Sequence, residues 1–346
     1  MRVLILGGTG FLGPRIVERL LAFGHDVTVF HRGTRAVNVP EGIRVLSGDR
    51  NKLSESVDDF RALRPDVVVD AIAYTEQQAK SLVAALRGIA GRIVVLSSGD
   101  VYRANDILFR RVEGAIESTP LLETSPLRDR LYPYRGMSIP HPPGLDLDDY
   151  EKILVERAVL GDANLPATVL RLPMVYGPGA EQAARRRFFA YLKRMDDDRP
   201  SILLDKRTAQ WLAPWGFVGD MAEAVRLAVE NERAAGEVYN AGELESLDIR
   251  GWIRELASVA GWAGQIVTVD EPCPPPNLPR QLNPEQHLHM NTTKIRRELG
   301  CHEIFSRREA LERTVVWDRE HPPKEIDPAQ FDYAAEDAIL NRATAL

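Results

Sequence analysis

Apolar and polar positions along this chain change period from block to block. Val3–Leu6 is a short apolar, partly β-branched run, the mark of a strand buried on both faces. Strand-like runs recur at Val27–Phe30, Arg44–Leu46, Val67–Ile72, Ile93–Ser97 and Thr168–Leu172. Between most of them the apolar spacing becomes helical, over residues 14–23, 52–63, 76–88 and 149–161. Ile16, Val17, Leu20 and Leu21 share one stripe of the first of these helices. This rhythm predicts an α/β protein with a doubly wound parallel sheet. Residues 1–175 read as a nucleotide-binding body. Residues 176–317 read as a smaller α/β substrate lobe interleaved with it, and 318–346 as a tail that wraps the body or mediates assembly. Two stretches break the rhythm. Residues 103–147 are rich in Pro, Arg and Tyr and read as an insertion lying over the active site. Residues 270–284 are a second Pro-rich stretch.

Composition narrows the class. A chain of 346 residues can bury one large core or two modest ones, and 44% hydrophobic with 27% charged residues is ordinary for a soluble protein. The net charge of −6 argues against a general nucleic-acid binder, which would show a basic surface. Arg185–Arg187, the densest basic run, reads as a solvated helix face. Cys273 and Cys301 have neither disulfide-framework nor metal-type spacing, which fits a reducing, cytoplasmic setting. Met1 leads straight into a strand, so no signal peptide is expected, and no run approaches membrane-spanning length.

The candidate chemistry begins after the first strand. Gly7, Gly10 and Gly13 stand at three-residue spacing; Gly8, Gly10 and Gly13 also satisfy G-x-G-x-x-G, so the register is open. A strand, a glycine turn and a helix together make an anion site. Helix-start N–H groups point at a phosphate, and missing Cβ atoms let a pyrophosphate approach.

Together with later motifs, this turn resembles that of the extended short-chain dehydrogenases/reductases, the NAD(P)-dependent epimerase/dehydratase family. The similarity covers residues 1–317 and implies a Rossmann-like fold. Gly7-Gly8-Thr9-Gly10-Phe11-Leu12-Gly13 matches the family's nucleotide turn. Gly48-Asp49 matches the motif whose aspartate meets the adenine amino group, with Arg50 next to it. Ser97-Ser98-Gly99-Asp100-Val101-Tyr102 puts Ser98 in the catalytic Ser/Thr place. Ala73 and Tyr74 follow the fourth strand, on the cofactor path. Lys152 to Glu156 resembles the helix carrying the active-site lysine. Arg171 to Gly179, including Pro173 and Val175, matches the motif on the nicotinamide side. Phe217 to Asp220, Tyr239 to Gly242, Thr292 to Lys294 and Arg296 to Gly300 match later signatures. The resemblance also implies a homodimer.

NAD-preferring relatives place a carboxylate after the second strand, on the ribose 2′-OH. Here the place reads His31-Arg32-Gly33, with Arg35 close behind. A guanidinium suits a 2′-phosphate, which it can grip with two parallel N–H bonds. NADP is therefore the expected cofactor, ahead of NAD.

One departure concerns the acid/base. The family's pair is Tyr-x-x-x-Lys, nearly one helical turn apart, but four before Lys152 stands Asp148. Tyr150 is only two before, about 200° away if helical. Four readings stay open. Asp148 caps the helix, with Glu151 three residues on completing a capping box. Its carboxylate replaces the phenol, with a pKa raised by burial. Tyr132 or Tyr134 is carried in by the insertion. Or Tyr150 lies in an irregular first turn and still reaches the substrate.

A second departure lies before Phe217. Sugar-nucleotide relatives carry a diphosphate-binding arginine there, whereas this chain has Trp211 and Trp215, which read as core or as a flat apolar ligand surface. His287 and His289 would share one strand face, but a metal needs further ligands and no matching cluster accompanies them. Asp196–Asp198 reads as a solvated turn. No G-x-S-x-G elbow suggests a hydrolase.

These readings converge on an NADP-dependent oxidoreductase, epimerase or dehydratase acting on a small carbonyl or hydroxyl compound, sugar-like among the options. Ser98, Tyr150, Lys152 and Asp148 are the catalytic candidates. The rival is a catalytically altered dinucleotide-binding protein with a sensing, regulatory or RNA-binding role. It is motivated by the missing tyrosine at 148 and by a likeness of Gly48-Asp49-Arg50 and Ala73-Tyr74-Thr75 to chloroplast stem-loop-binding relatives. Intact Ser98 and Lys152, with the negative net charge, argue against it.

Overall fold

The computed structural model describes residues 1–33, 40, 42–137, 147–180 and 186–344, so Arg35 and residues 138–146 of the insertion lie outside it. In chain order the strands are β1 (Arg2–Leu6), β2 (Asp26–His31), β3 (Arg44–Ser47), β4 (Val67–Asp70), β5 (Arg92–Ser98), β6 (Ala167–Leu172), β7 (Met174–Tyr176), β8 (Ser201–Asp205), β9 (Trp215–Phe217), β10 (Val238–Asn240) and β11 (Gln265–Val269). The helices are α1 (Gly13–Ala22), α2 (Val57–Leu63), α3 (Glu76–Leu86), α4 (Arg103–Leu108), α5 (Lys152–Leu160), α6 (Phe189–Asp196), α7 (Lys206–Ala209), α8 (Val218–Glu230), α9 (Ile249–Ala260), α10 (Thr293–Leu299), α11 (Arg307–Glu320) and α12 (Tyr333–Thr344).

Seven strands form one sheet in the order β10-β6-β5-β4-β1-β2-β3, every pairing parallel. The reason is visible in β1. Val3 and Ile5 enter a cluster with Ile16 and Leu20 of α1 and Val225 of α8, whereas Leu4 and Leu6 enter one with Phe60, Leu82 and Val155 on the other face. Each of these strand side chains is at most 1% exposed, worth about 1.5–3 kcal/mol apiece in transfer terms. Only a strand covered on both faces uses an unbroken apolar run this way. The chain leaves β1 toward β2 and β3 on one side and returns through β4 on the other. The crevice where the order reverses therefore opens beyond the carboxyl ends of β1 and β4.

A second cluster lies outside this sheet. The pairs β7–β9 and β8–β11 and helices α6, α9 and α11 surround packed aromatics, with Phe188 to Trp252 at 5.2 Å and Trp215 to Trp252 at 5.6 Å between ring centroids. Trp211 and Trp215, 6% exposed each, belong to this core and not to a ligand surface, and the Trp211 indole N–H donates to the Gln286 carbonyl. Residues 218–240 return to the main body, since α8 packs on α1 and β10 edges the large sheet.

The helix expected over 149–161 begins only at Lys152, and its cap is Glu151, whose carboxylate accepts from the Ile153 N–H at 2.9 Å. Asp148 does not cap it. It lies exposed before the helix, accepting from the Gly136 N–H at 2.7 Å. The stretch expected as one helix over 52–63 is a 3₁₀ segment, Arg50–Ser56, followed by α2. Arg186 is not on a solvated face; it is buried in an ion pair with Asp318 of α11. Asp196 and Asp197 are likewise paired, with Arg319 and Lys193. The tail folds back on the aromatic lobe, where Glu336 of α12 meets the buried Arg194 and Tyr333 meets Asp197. Cys273 and Cys301 are free thiols, both pushed up to about 12 by burial.

Candidate active site

The glycine turn opens onto the crevice, and its three-residue register has a separate cause at each position. Gly7 adopts φ +88°, a left-handed conformation that disfavours side chains. A Cβ on Gly13 would lie 2.2 Å from the Gly7 carbonyl oxygen and 2.5 Å from the Gly8 carbonyl carbon, so α1 can start this close to the turn only with glycine. Gly10 is different, since its Cβ would meet nothing nearer than 3.7 Å, which leaves the approach from the crevice clear. Leu12 stands at the N-cap without a side-chain hydrogen bond, and Pro14 enters the first turn. Helix-start donors not claimed by a cap, an open face at Gly10 and the positive helix end fit a dinucleotide pyrophosphate. Phe11 packs against the aromatic lobe, tying the turn to it.

The candidate adenosine-binding residues lie past β2. The His31 Nδ1 accepts from the Gly33 N–H at 3.0 Å, which turns the loop at the strand end. Arg32 is exposed there, and no carboxylate stands beside it among the described residues. Asp49 caps the following 3₁₀ turn through the Asn51 N–H. Arg50 does not face the crevice. It is buried, donating to Asp70 at 2.6 Å and to the Gln78 carbonyl at 3.1 Å, while Asp70 also accepts from the Ile72 N–H. Arg50 thus braces the end of β4.

The catalytic candidates gather at the ends of β4 and β5. Lys152 is buried and donates to the Ala73 carbonyl at 2.6 Å and the Leu96 carbonyl at 2.8 Å, so one of its three N–H donors remains. Its ammonium stands 4.8 Å from the Tyr74 ring centroid and 5.9 Å from that of Tyr150. Burial lowers its pKa to about 8 against the opposing pull of Asp100, Asp70 and Glu156.

Tyr150 lies outside α5, so the helical argument that would turn it away from Lys152 does not apply. Its ring packs on Tyr74 at 6.1 Å and Tyr134 at 5.2 Å. Its hydroxyl donates to Asp100 Oδ2 at 2.9 Å, and the nearby Ser98 hydroxyl favours the phenolate. Tyr134, from the insertion, donates to the same carboxylate oxygen at 3.0 Å. Burial raises both phenols well above their ordinary range, and the negative charge of Asp100 adds to it. Of the four readings of the missing tyrosine, the geometry brings Tyr150 beside Ser98 and Lys152, and brings Tyr134 to Tyr150 through Asp100. It leaves Asp148 outside.

Several functional positions were not read from the sequence. Asp100 is the first, although an acidic residue at the exit of a buried strand was a visible signal. Glu151 and Arg128 form an ion pair that is 0% exposed on both sides; Glu151 also accepts from the Tyr132 N–H, and Arg128 also donates to the Asp100 carbonyl. This pair fixes the insertion against the start of α5. Behind Ser98, the buried Glu156 accepts from Ser97 at 2.5 Å and from Arg171 at 2.8 Å. Pro173 follows β6 and Val175 lies in β7, paired with Gly216, on the far wall of the crevice. No group of three or more metal-ligating side chains occurs among the described residues, and no helix there is long and apolar enough to cross a membrane.

Comparison with known proteins supplies the remaining findings. A model described as the NAD dependent epimerase/dehydratase family matches residues 3–121 and 149–242, leaving 122–148 of the insertion unmatched. The 2′-dehydrokanamycin reductase of Streptomyces kanamyceticus is 27% identical over 240 residues, which cover 68% of this chain and 60% of that protein; the chain thus spans about three fifths of this relative's length. The UDP-N-acetyl-α-D-glucosaminuronate decarboxylase of Bacillus cytotoxicus is 24% identical over 92% of this chain and 98% of its own. The UDP-glucose 4-epimerase of Thermus thermophilus, solved in complex with NAD, superposes with a TM-score of 0.62 at 24% identity, over 92% of this chain and 99% of that one.

Proposed function

The chain belongs to the NAD dependent epimerase/dehydratase family, and on that premise we propose an NADP(H)-dependent enzyme that interconverts a carbonyl and a hydroxyl on a small, polyoxygenated substrate. The observation that carries this reading is the Tyr150 phenol, held beside Ser98 and Lys152 beyond the ends of β4 and β5. When bound, the nicotinamide supplies hydride chemistry. The Gly7–Gly13 turn, with Thr9, Phe11 and Leu12, takes the pyrophosphate through main-chain N–H groups. His31 and Arg32 face the adenosine phosphate, and Asp49 the adenine. Ala73, Tyr74 and the remaining Lys152 donor serve the nicotinamide ribose, with Pro173 and Val175 on the opposite wall. Ser98 orients the substrate oxygen, and Tyr150 gives it a proton or takes one from it.

The preference for NADP rests on Arg32 and on the missing carboxylate at the β2 exit. The sugar-like substrate class is supported by the relatives, a 2′-dehydrokanamycin reductase and two enzymes named for UDP-sugars. The purely binding alternative is not favoured, because the phenol thought missing at position 148 is supplied from position 150.

The test is turnover of NADPH with a panel of aminoglycoside ketones, nucleotide-sugar ketones and simple aldehydes, beside calorimetry of NADPH binding. Tyr150→Phe should lower kcat by about 10³-fold on whichever substrate turns over and leave NADPH affinity within about twofold. A Tyr150→Phe enzyme that keeps its rate removes Tyr150 from the reaction.

A further inference from the structure

We propose that Asp100 and Tyr134 form a proton path that connects the Tyr150 phenol to solvent. This rests on the reading of Tyr150 as the acid/base. Three observations carry it. Asp100 Oδ2 accepts from both phenols, at 2.9 and 3.0 Å, so the three groups form one unbroken chain. Asp100 Oδ1 is buried without a hydrogen-bond partner among the described residues, where the two phenols are the only groups hydrogen-bonded to this carboxylate's side-chain oxygens. Tyr134 is only partly buried and is followed by the exposed Arg135, Gly136 and Met137, whereas Tyr150 is 8% exposed.

Lys152 is poorly placed for the same task, because two of its three donors are held by the carbonyls of Ala73 and Leu96. Tyr134 lies in the unmatched stretch 122–148, so this path is a property of this chain's insertion.

Tyr150 gives its proton to a substrate oxygen and becomes a phenolate beside a carboxylate. That repulsion is relieved when the Tyr134 proton moves to Asp100 Oδ2 and on to the Tyr150 oxygen. The Tyr134 phenolate then faces two cations: the Arg111 guanidinium, 5.7 Å from its ring centroid, and Arg128. It takes a proton from water. The net change is one proton from solvent to the substrate oxygen, and the oxidative direction runs in reverse. The charged groups bearing on the path are Lys152 and Arg128, Arg111 on the insertion, and Asp106 and Glu151 around them.

Two readouts test it. In protein labelled with ¹³C at tyrosine Cζ, Tyr134→Phe and Tyr150→Phe assign the two signals without any cofactor. Asp100→Asn should then bring the Tyr150 signal into titration at least about one pH unit lower than in the unaltered protein. Separately, Tyr134→Phe should lower kcat about tenfold with KM unchanged, and added imidazole should restore the rate while leaving the unaltered enzyme's rate flat. The path is overturned if Tyr134→Phe keeps full rate or shows no imidazole rescue while Tyr150→Phe is inactive, or if the Tyr150 titration ignores Asp100→Asn. A fully active Tyr150→Phe enzyme instead overturns the underlying reading. Tyr134→Phe removes one hydroxyl from a half-buried ring, so it remains informative even if Asp100→Asn fails to fold.

Discussion

The glycine cradle and the catalytic corner lie along one edge of the same sheet, but they are built in different ways. The cradle is seven consecutive residues, Gly7 to Gly13, and works through main-chain geometry. The corner is assembled from residues 98, 100, 134, 150 and 152 through side-chain hydrogen bonds, with Glu151 and Arg128 clamping the pieces together. A backbone site is strict about size at one position and indifferent to most side chains. A side-chain site tolerates changes of position in the chain, provided some segment returns the functional group to the same place.

That contrast can be broken most forcefully at Gly13. Gly13→Ala puts a methyl 2.2 Å from a carbonyl oxygen, so the turn or α1 must move. NADPH affinity should fall by at least about 100-fold, and stability by about 2–3 kcal/mol, measured by calorimetry and chemical denaturation. A variant that binds normally would show that the turn is not the pyrophosphate cradle. At the corner, Lys152→Met should reduce kcat about 10²-fold, less than Tyr150→Phe.

The lysine also has a pH signature. Its pKa is about 8 in the folded protein against 10.5 in an ordinary setting, so between these values the unfolded chain holds more protons. Stability should therefore rise with pH from about 8 to about 10.5 through this group, and Lys152→Met should flatten that slope in denaturation curves taken across the window. An unchanged slope would mean that Lys152 is not the buried ammonium responsible.

Two smaller effects sharpen the comparison. Arg32→Glu places the carboxylate that a ribose 2′-OH would use, and should shift the NADPH-to-NADH affinity ratio by about tenfold or more toward NADH; an unaltered ratio would remove Arg32 from cofactor choice. Asp148→Asn should change kcat by less than about twofold, because this residue is exposed and its carboxylate accepts from the Gly136 N–H ahead of the helix. A large loss there would restore the carboxylate reading.

How much of the molecule could be read from its sequence follows the same division. β1, β2, β5 and β6 came within a residue or two of their ends, because buried parallel strands announce themselves as apolar runs. The cradle was equally legible, and only its register needed coordinates. The start of α5 was misplaced because Asp148 and Glu151 fit a capping box by spacing. The true cap is Glu151, held by Arg128, which is 23 residues earlier in the chain. With the helix start moved, Tyr150 left the helical register and became available to the site. Asp100 was missed for a related reason, since its partners Tyr134 and Tyr150 meet it only after the insertion folds back. Arg186 was misread because a buried ion pair leaves no local trace in a sequence.

A crystal structure of the NADPH complex tests the central claim most directly. The account predicts the Tyr150 hydroxyl within about 5 Å of the nicotinamide C4 and within hydrogen-bond reach of the space where a substrate oxygen would sit. Finding Tyr150 turned away, with Asp148 or another group in that position, would contradict it.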